Sequence, residues 1–224
     1  KETYLGSYSS FEGSPMSKGK FQFDLWNKSP IDNVDGLLLD WKSLRGDIMI
    51  YGMRNSLLLA PMPTASTSQI LGNNECIEPF TSNIYSRSTL AGEFLIVNKY
   101  LQDNLTRLGI WNRQLKDKII LNSGSIQNMI EIPEKIRDIY KISWDLSMKA
   151  LIDQAADRGI YVCQSQSLNL WVKDPTYSKL SSMHMYSWKK GLKTGIYYLR
   201  RRAVVQAQTF SIDPENEECL MCSA

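Results

Sequence analysis

Short apolar runs of strand type alternate with segments of helical periodicity along most of this 224-residue chain. Gly, Pro and hydroxyl residues separate the two kinds of segment, as they do at turns. The strand candidates are residues 56–61, 83–88, 93–97, 160–163, 168–172 and 195–200. The helix candidates are residues 35–52, a short helix after the hydroxyl residues at 64–68, and residues 99–108, 112–121, 133–158 and 177–190. Such alternation is typical of α/β proteins, and we predict that fold class.

The longest predicted helix begins at Pro133 and ends before Gly159, with an apolar face along its length. Residues 1–34 are rich in Gly, Ser and Pro and predict an entry loop or arm. Residues 206–224 are acidic and low in apolar content, which predicts a flexible tail. We therefore divide the chain into an arm at 1–34, an α/β part at 35–205 and a tail at 206–224.

Composition excludes several classes of protein. A net charge of +3, with acids and bases interspersed, is too small to favour nucleic acid or an anionic membrane as partner. The apolar runs are shorter than the roughly 18–20 residues that span a bilayer, and the polar start at Lys1 predicts no signal peptide. Four cysteines are too sparse for an exported disulfide scaffold, so we expect an intracellular protein. A start at Lys rather than Met predicts a fragment or a processed product.

A strand candidate leads into a hydroxyl-rich turn and a short helix between residues 57 and 72. Unpaired amide groups at a helix start favour an anion, and four short hydroxyl side chains add donors: Thr64, Ser66, Thr67 and Ser68. The turn has neither the glycines nor the lysine of a P-loop. On spacing alone, an ordinary helix cap is the simpler interpretation, and phosphate binding is the alternative.

Two further features carry redox chemistry in some proteins. Tyr197 and Tyr198 are adjacent on a strand candidate, where neighbours face opposite sides, so two core tyrosines are the simpler interpretation and phenol redox chemistry the alternative. Cys219 and Cys222 lie on the predicted tail, where exposed paired thiols exchange disulfides. A zinc site is the alternative, but it needs four ligands, and His184 is the single histidine. We favour redox exchange and predict no metal site.

Segments along the whole chain resemble the large subunits of class I ribonucleotide reductases. Residues 61–75, PMPTASTSQILGNNE, resemble the family's substrate-phosphate loop. Residues 191–200, GLKTGIYYLR, resemble its radical-transfer strand, and residues 218–222, ECLMC, resemble its redox tail in the eukaryotic form. Shorter similarities lie between and before them, at residues 13–15, 164–169 and 182–184.

The resemblance implies a specific function: reduction of ribonucleoside diphosphates for deoxyribonucleotide biosynthesis and DNA replication, in the cytoplasm. It implies that this chain is the second half of a ten-stranded α/β barrel, with a small additional α/β element and the flexible tail. The substrate phosphates would bind at Pro63, Thr64, Ala65, Ser66, Thr67 and Ser68. Tyr197 and Tyr198 would relay an electron, coupled to proton movement, between the small subunit and the active-site cysteine. Cys219 and Cys222 would re-reduce the active-site disulfide.

The same resemblance implies the partners. A small subunit with a di-metal centre and a tyrosyl radical would supply the radical, and a second large subunit would complete the assembly. Thioredoxin or glutaredoxin would reduce the tail, and this chain itself would carry no cofactor. The allosteric ATP and dNTP sites, the first half of the barrel and the thiyl-forming cysteine would lie in a part absent from this chain.

Two departures from the family pattern stand out. Residues 74–78, NECIE, match the family's N-x-C-x-E thiyl motif, but they follow the phosphate loop directly, whereas the family's motif lies upstream. We interpret the match as coincidental. The residues after the tyrosine pair, Arg200-Arg201-Arg202-Ala203, depart from the Arg-x-Arg-Pro common in the family. The rival hypotheses are a nucleotide-phosphate binding module without redox activity and a folded but inert fragment.

Overall fold

The computed structural model describes residues 6–31, 33–34 and 37–201. The predicted tail at 206–224, with Cys219 and Cys222, lies outside the described residues. The described part of the chain forms two compact units. The first unit contains the residues up to Ile77 together with 148–170 and 175–199, and the second contains 78–147, 171–174 and the residues from Arg200 on.

The described residues form both helices and strands, as the sequence predicts, although several helices follow one another without a strand between them. After a 3₁₀ turn at Met16–Lys18, the helices are α1 Gln22–Leu25, α2 Trp41–Tyr51, α3 Thr67–Ile70, α4 Lys99–Arg107, α5 Arg113–Leu121, α6 Glu134–Ile139, α7 Met148–Gly159 and α8 Tyr177–Lys189. The strands are β1 Asn33–Val34, β2 Leu37–Leu38, β3 Ile84–Thr89, β4 Gly92–Val97, β5 Asn169–Trp171 and β6 Tyr198–Arg200. In the described part these strands pair only two by two, as β1–β2, β3–β4 and β5–β6.

Helix α2 begins and ends at residues whose chemistry determines its limits. The Asp40 carboxylate accepts a hydrogen bond from the Ser43 amide at 2.9 Å and caps the first turn. Gly52 follows the last turn with a φ of 76°, which glycine adopts without steric cost, and its amide donates to the Ile48 carbonyl at 2.8 Å. The helix predicted over 35–52 is confirmed from Trp41 onwards, and Leu37 and Leu38 form β2 instead.

The second unit is built around a core that helices α4 and α5 share with β3. Its members are aliphatic side chains at most 4% exposed: Ile84, Leu101, Leu105, Leu115, Ile119, Ile126, Met129 and Ile132. Burial of each such side chain stabilises the fold by about 1.5–3 kcal/mol. Strands β3 and β4 form an antiparallel hairpin with Ile84 opposite Val97. The helices and strands predicted between residues 83 and 121 are confirmed.

The helix predicted over 133–158 is wrong as a single element. It is divided into α6 and α7 because the residues between them bond to other segments of the second unit. The fully buried Ser143 donates its amide to the Phe80 carbonyl at 2.8 Å, and its hydroxyl donates to the Pro79 carbonyl at 3.1 Å. The Asp145 carboxylate accepts from the Ile142 amide at 3.0 Å. The longest helix in the described part is α8.

The strands predicted at 56–61 and 160–163 are also wrong, since neither segment forms a ladder. Separate hydrogen bonds join the first segment to the residues that follow the second. The Gln164 amide donates to the Leu59 carbonyl at 3.2 Å, and the Ser167 amide donates to the Pro61 carbonyl at 2.9 Å. The leucines at 57, 58 and 59 are 52%, 64% and 52% exposed, so no layer of the described chain covers them.

Strands β5 and β6 flank helix α8 in the chain. The Tyr197 amide donates to the Leu168 carbonyl at 2.7 Å, and the Val172 amide donates to the Arg200 carbonyl at 2.9 Å. Because later residues of one segment pair with later residues of the other, the two strands run parallel, and α8 is their crossover. This β–α–β order is the local signature of the predicted α/β class. The described strands close no barrel.

The first unit has an aromatic cluster at its start. Phe21 and Phe23 are 9% and 3% exposed, and the Phe23 ring lies 5.2 Å from that of Trp41 and 6.3 Å from that of Tyr161. Part of the predicted arm at 1–34 therefore packs into this unit, although the boundary at residue 34 stays a prediction. No helix among the described residues is long and apolar enough to cross a bilayer.

Candidate functional site

The hydroxyl-rich segment 63–68 folds as a tight loop leading into α3. Thr64 has a φ of 54°, which is rare for a β-branched residue, so the chain reverses sharply there. The Ser68 amide donates to the Thr64 carbonyl at 2.9 Å. The Cys76 amide donates to the Pro63 carbonyl at 2.8 Å and closes the loop from its far side. Pro63 and Cys76, which are 13 positions apart in the sequence, are thereby joined at the base of the loop.

The loop presents donors that the described chain does not use. Ala65, Ser66 and Thr67 are exposed, and their amide groups have no acceptor within the described residues. The Ser68 side chain is 5% exposed, and its hydroxyl likewise has no hydrogen-bond partner there. Helix α3 has four residues, so its dipole is small and the individual N–H and O–H groups are what an anion would contact.

The tyrosine pair departs from what a regular strand predicts. The ring centroids of Tyr197 and Tyr198 are 4.4 Å apart with 54° between the ring planes, and the residues are 47% and 51% exposed. Strand β6 begins at Tyr198, so side-chain alternation does not apply between the two residues. The predictions of opposite faces and of two core tyrosines are both wrong.

The two phenols interact directly. A side-chain hydrogen bond with Tyr198 is the main cause that raises the pKa of the Tyr197 phenol, followed by the charge on Tyr198, by burial and by the charge on Cys76. Each of these favours the neutral phenol. A phenol that keeps its proton at neutral pH must lose that proton when it loses an electron, and a hydrogen-bonded neighbour provides a place for it.

Hydrogen bonds connect the loop to the tyrosine pair through two residues that the sequence analysis did not assign to a site. Cys76 bonds to Pro63 through its amide and accepts a hydrogen bond from Asn169 Nδ2 at 3.5 Å on its Sγ atom. Asn169 Oδ1 accepts a hydrogen bond from the Tyr198 amide at 3.1 Å. Two of the three sequence-predicted motifs, far apart in the chain, thus lie within one hydrogen-bonded arrangement.

Neither connecting residue had a signal strong enough to single it out. Asn169 belongs to the segment 164–169 that resembles the family, but its amide could have served any turn or strand end. Cys76 belongs to the NECIE segment, whose match to the thiyl motif we interpret as coincidental. The tail cysteines lie outside the described residues, so their position relative to this site stays a prediction. Within the described ranges, no cluster of three His, Cys, Asp or Glu side chains could hold a metal.

A second thiol, Cys163, lies in an unusual environment in the same unit. The amides of Leu58 and Leu59 donate to its Sγ atom at 3.0 and 3.1 Å. Burial raises the pKa of the Cys163 thiol, but several backbone hydrogen bonds, those of Leu59 and Leu58 first, together hold the pKa below its ordinary value. The Lys193 ammonium donates to the Cys163 carbonyl at 2.7 Å, and burial lowers the pKa of that lysine.

Helices α7 and α8 are joined by one carboxylate. Asp153 on α7 accepts from Lys149 at 2.7 Å, from Lys190 at 2.7 Å and from the Tyr186 hydroxyl at 2.7 Å. These three hydrogen bonds, that of Lys149 first, hold the pKa of Asp153 well below its usual range. Three large side chains of α8 itself are exposed: Tyr177, Met185 and Trp188.

The sequence profile described as ribonucleotide reductase, barrel domain, matches residues 3–198. The chain belongs to this family. It is 57% identical over 219 residues to the ribonucleoside-diphosphate reductase large subunit of Trypanosoma brucei brucei, a match that covers 94% of this chain and 26% of that protein. It is 56% identical over 210 residues to the ribonucleoside-diphosphate reductase large chain of Cryptosporidium parvum, with 94% and 26% covered.

A solved structure agrees with the family. The Actinobacillus ureae class Id ribonucleotide reductase alpha subunit superimposes with a TM-score of 0.61 and 27% sequence identity, over 81% of this chain and 31% of that one. The α/β class is therefore confirmed for this member of the barrel-domain family. The chain spans about a quarter of the length of the curated relatives it matches, 26% for the two named above.

Proposed function

We propose that this chain is the C-terminal part of the large, catalytic subunit of a class I ribonucleoside-diphosphate reductase. The complete subunit reduces ribonucleoside diphosphates to deoxyribonucleoside diphosphates by radical chemistry. The observation that carries the proposal is the arrangement that runs from Pro63 through Cys76 and Asn169 to Tyr198. It joins a loop suited to phosphate to a pair of phenols suited to electron relay, and one reaction uses both.

In this proposal the loop at Pro63–Ser68 holds the substrate diphosphate. The exposed amides at 65–67 and the hydroxyls of Ser66, Thr67 and Ser68 donate to phosphate oxygens. Each charge-assisted hydrogen bond contributes about 1.5–3 kcal/mol, so three or four suffice for a diphosphate in a partly enclosed site. The base and the ribose are contacted by residues outside this chain.

Tyr197 and Tyr198 form the end of the radical path in the same proposal. In each step a neutral phenol gives up one electron and one proton to the oxidised group before it and recovers both from the group after it. The di-metal and tyrosyl small subunit is the initial oxidant, and the active-site cysteine thiol is the final donor in the forward direction. The ring contact of 4.4 Å and the hydrogen bond between the phenols serve the electron and the proton, respectively.

The remaining partners belong to the same proposal. The small subunit's C-terminal peptide docks along α7 and α8, where exposed apolar side chains such as Met185 and Trp188 suit an apolar peptide face. Cys219 and Cys222 re-reduce the active-site disulfide and are reduced by thioredoxin or glutaredoxin. The proposal also includes a second large subunit and allosteric nucleotide sites outside this chain. The barrel has ten strands, to which residues outside this chain contribute, and the protein is cytoplasmic.

The decisive experiment uses the complete large subunit together with its small subunit. Tyr197→Phe and Tyr198→Phe each remove one hydroxyl and leave the ring. We expect both variants to lose turnover while they bind the substrate diphosphate normally. Tyr85→Phe, a partly exposed tyrosine of β3 in the second unit, is the matched control and should keep full activity. Turnover by either Phe variant at the wild-type rate would contradict the relay.

The rival hypothesis of a phosphate-binding module without redox activity receives no support from the relatives, which are named as reductase subunits. The same variants separate the two hypotheses. A binding module would show diphosphate binding that is indifferent to both phenols and no turnover in the complete subunit.

A further inference from the structure

A buried side-chain amide binds the backbone of the tyrosine pair. Both rings are about half exposed, so packing in the described chain leaves them room to move. Asn169, by contrast, is 1% exposed on β5. Its Oδ1 atom accepts the Tyr198 amide hydrogen at 3.1 Å, which attaches the start of β6 to a side chain fixed in the interior.

The other end of the same side chain contacts the residue next to the phosphate loop. Asn169 Nδ2 donates to Cys76 Sγ at 3.5 Å, an ordinary length for a hydrogen bond to sulfur. Cys76 in turn donates its amide to the Pro63 carbonyl at 2.8 Å. The thiol is also close enough to the Tyr197 phenol to act on its pKa. One planar amide therefore connects the tyrosine strand with the base of the loop.

We propose that Asn169 is a positioning residue that holds the Tyr197–Tyr198 pair in register with Cys76 and the phosphate loop. This role rests on the proposed function and adds to it a residue that touches neither substrate nor radical. Electron relay between phenols needs a fixed contact, and a displacement of about 1 Å at a reacting group lowers a rate roughly 100-fold. Backbone hydrogen bonds already join β6 to β5, and the Asn169 side chain adds to them a connection between the start of β6 and the base of the loop.

Two substitutions separate the two ends of the side chain. Asn169→Ala removes both hydrogen bonds. Asn169→Asp keeps an oxygen for the Tyr198 amide and replaces the donor to Cys76 by an acceptor. Asn83→Ala is the matched control, because Asn83 is also 1% exposed and donates to the Gly124 and Tyr140 carbonyls, but lies in the second unit. Both alanine variants should lose similar stability.

The measurement uses the complete large subunit with its small subunit and 3-fluorotyrosine at position 198. We expect Asn169→Ala to lower kcat about 100-fold. We expect KM for the diphosphate to stay within about twofold of wild type, because phosphate contacts are unchanged. The fluorine resonance should shift and broaden in Asn169→Ala, remain near wild type in Asn169→Asp, and be unaffected in Asn83→Ala.

A resonance and a kcat in Asn169→Ala that match those of Asn83→Ala would overturn the positioning role. If Asn169→Ala does not fold, the positioning role is tested with Asn169→Asp and Cys76→Ala, each carrying fluorotyrosine at position 197. A fluorine resonance at position 197 that is unchanged in both variants would also overturn the positioning role. Failure of the proposed function is distinguishable from failure of the positioning role. Active Tyr197→Phe and Tyr198→Phe variants would refute the relay, whereas the fluorine resonances would still report whether Asn169 orients the tyrosine pair.

Discussion

The indole ring of Trp26 lies directly against Gly159, the last residue of α7. A Cβ atom added at Gly159 would stand 2.9 Å from the Trp26 ring, closer than real Cβ contacts come. A Cβ at Gly191, just beyond α8, would stand 3.1 Å from the same ring. Trp26 therefore sits between the C-terminal ends of the two helices proposed to bind the small subunit.

This contact predicts the sign of the change in the free energy of unfolding for two Gly→Ala substitutions. Gly159→Ala should lower the free energy of unfolding by about 1–3 kcal/mol, because the methyl group overlaps the ring. Gly46→Ala in α2 is the control: a Cβ there has no heavy atom within 4 Å, so the better helix propensity of alanine should raise stability by about 0.5–1 kcal/mol. Urea unfolding of both variants measures the difference, and equal effects would contradict the contact.

The Asp153 carboxylate predicts a specific acid sensitivity. Its hydrogen bonds with Lys149, Lys190 and Tyr186 hold its pKa below that of an unfolded aspartate, about 3.9. The stability it contributes is therefore fully present above that value and is lost as the pH falls through the lower folded-state pKa. Asp153→Asn should flatten the decline of the unfolding midpoint below about pH 4. Asp47→Asn, an exposed residue with no partner among the described residues, should leave the decline unchanged.

The unpartnered hydroxyl of Ser68 predicts opposite effects on stability and binding. A buried hydroxyl without a partner costs about 1–3 kcal/mol, so Ser68→Ala should raise the free energy of unfolding. The same change should weaken binding of pyrophosphate roughly tenfold or more, since it removes a charge-assisted donor. Ser187→Ala on α8 removes a second buried, unpartnered hydroxyl and should stabilise without any effect on pyrophosphate, as titration calorimetry would show. Unchanged pyrophosphate affinity in Ser68→Ala would exclude this hydroxyl from the site.

Cys163 should react as an acidic thiol. Because the Leu59 and Leu58 amides lower its pKa, alkylation of Cys163 should rise with a midpoint below the ordinary thiol value of about 8.5. Peptide mass spectrometry after iodoacetamide labelling at several pH values resolves each cysteine separately. The same chain in denaturant provides the control, where the midpoint should return to about 8.5. An identical profile in both states would contradict the amide contacts.

The tail cysteines predict a distinction between single and multiple turnover. In the complete subunit, the double variant Cys219→Ser with Cys222→Ser should stop thioredoxin-driven multiple turnover. It should preserve one turnover from enzyme reduced beforehand, because in the proposed function the tail acts only after the active-site disulfide has formed. Sustained turnover by the double variant with thioredoxin would contradict a redox role for the tail.

Local rules were reliable where an element and its ends are determined by neighbouring residues. The stop at Gly52 and the short spacing of the β3–β4 hairpin act within a few positions, so the pattern alone predicted the end of α2 and both strands, whereas the start of α2 at the Asp40 cap was not predicted. The same rules failed at 133–158, where the helical pattern predicts one helix. The chain instead forms two helices, because Ser143 between them is hydrogen-bonded to Pro79 and Phe80. Bonds to residues more than sixty positions away leave no periodic trace in the sequence.

The sequence by itself determined the α/β class and the family, because alternating segments and contiguous motifs are read along the chain. It also located the loop at Pro63–Ser68 and the Tyr197–Tyr198 pair as candidates. Only the tertiary structure decided that these two motifs are connected, through Cys76 and Asn169, and that the two rings touch instead of facing apart. The physical reason is that hydrogen bonds between distant segments and the point where a strand begins depend on packing in three dimensions, which local periodicity does not encode.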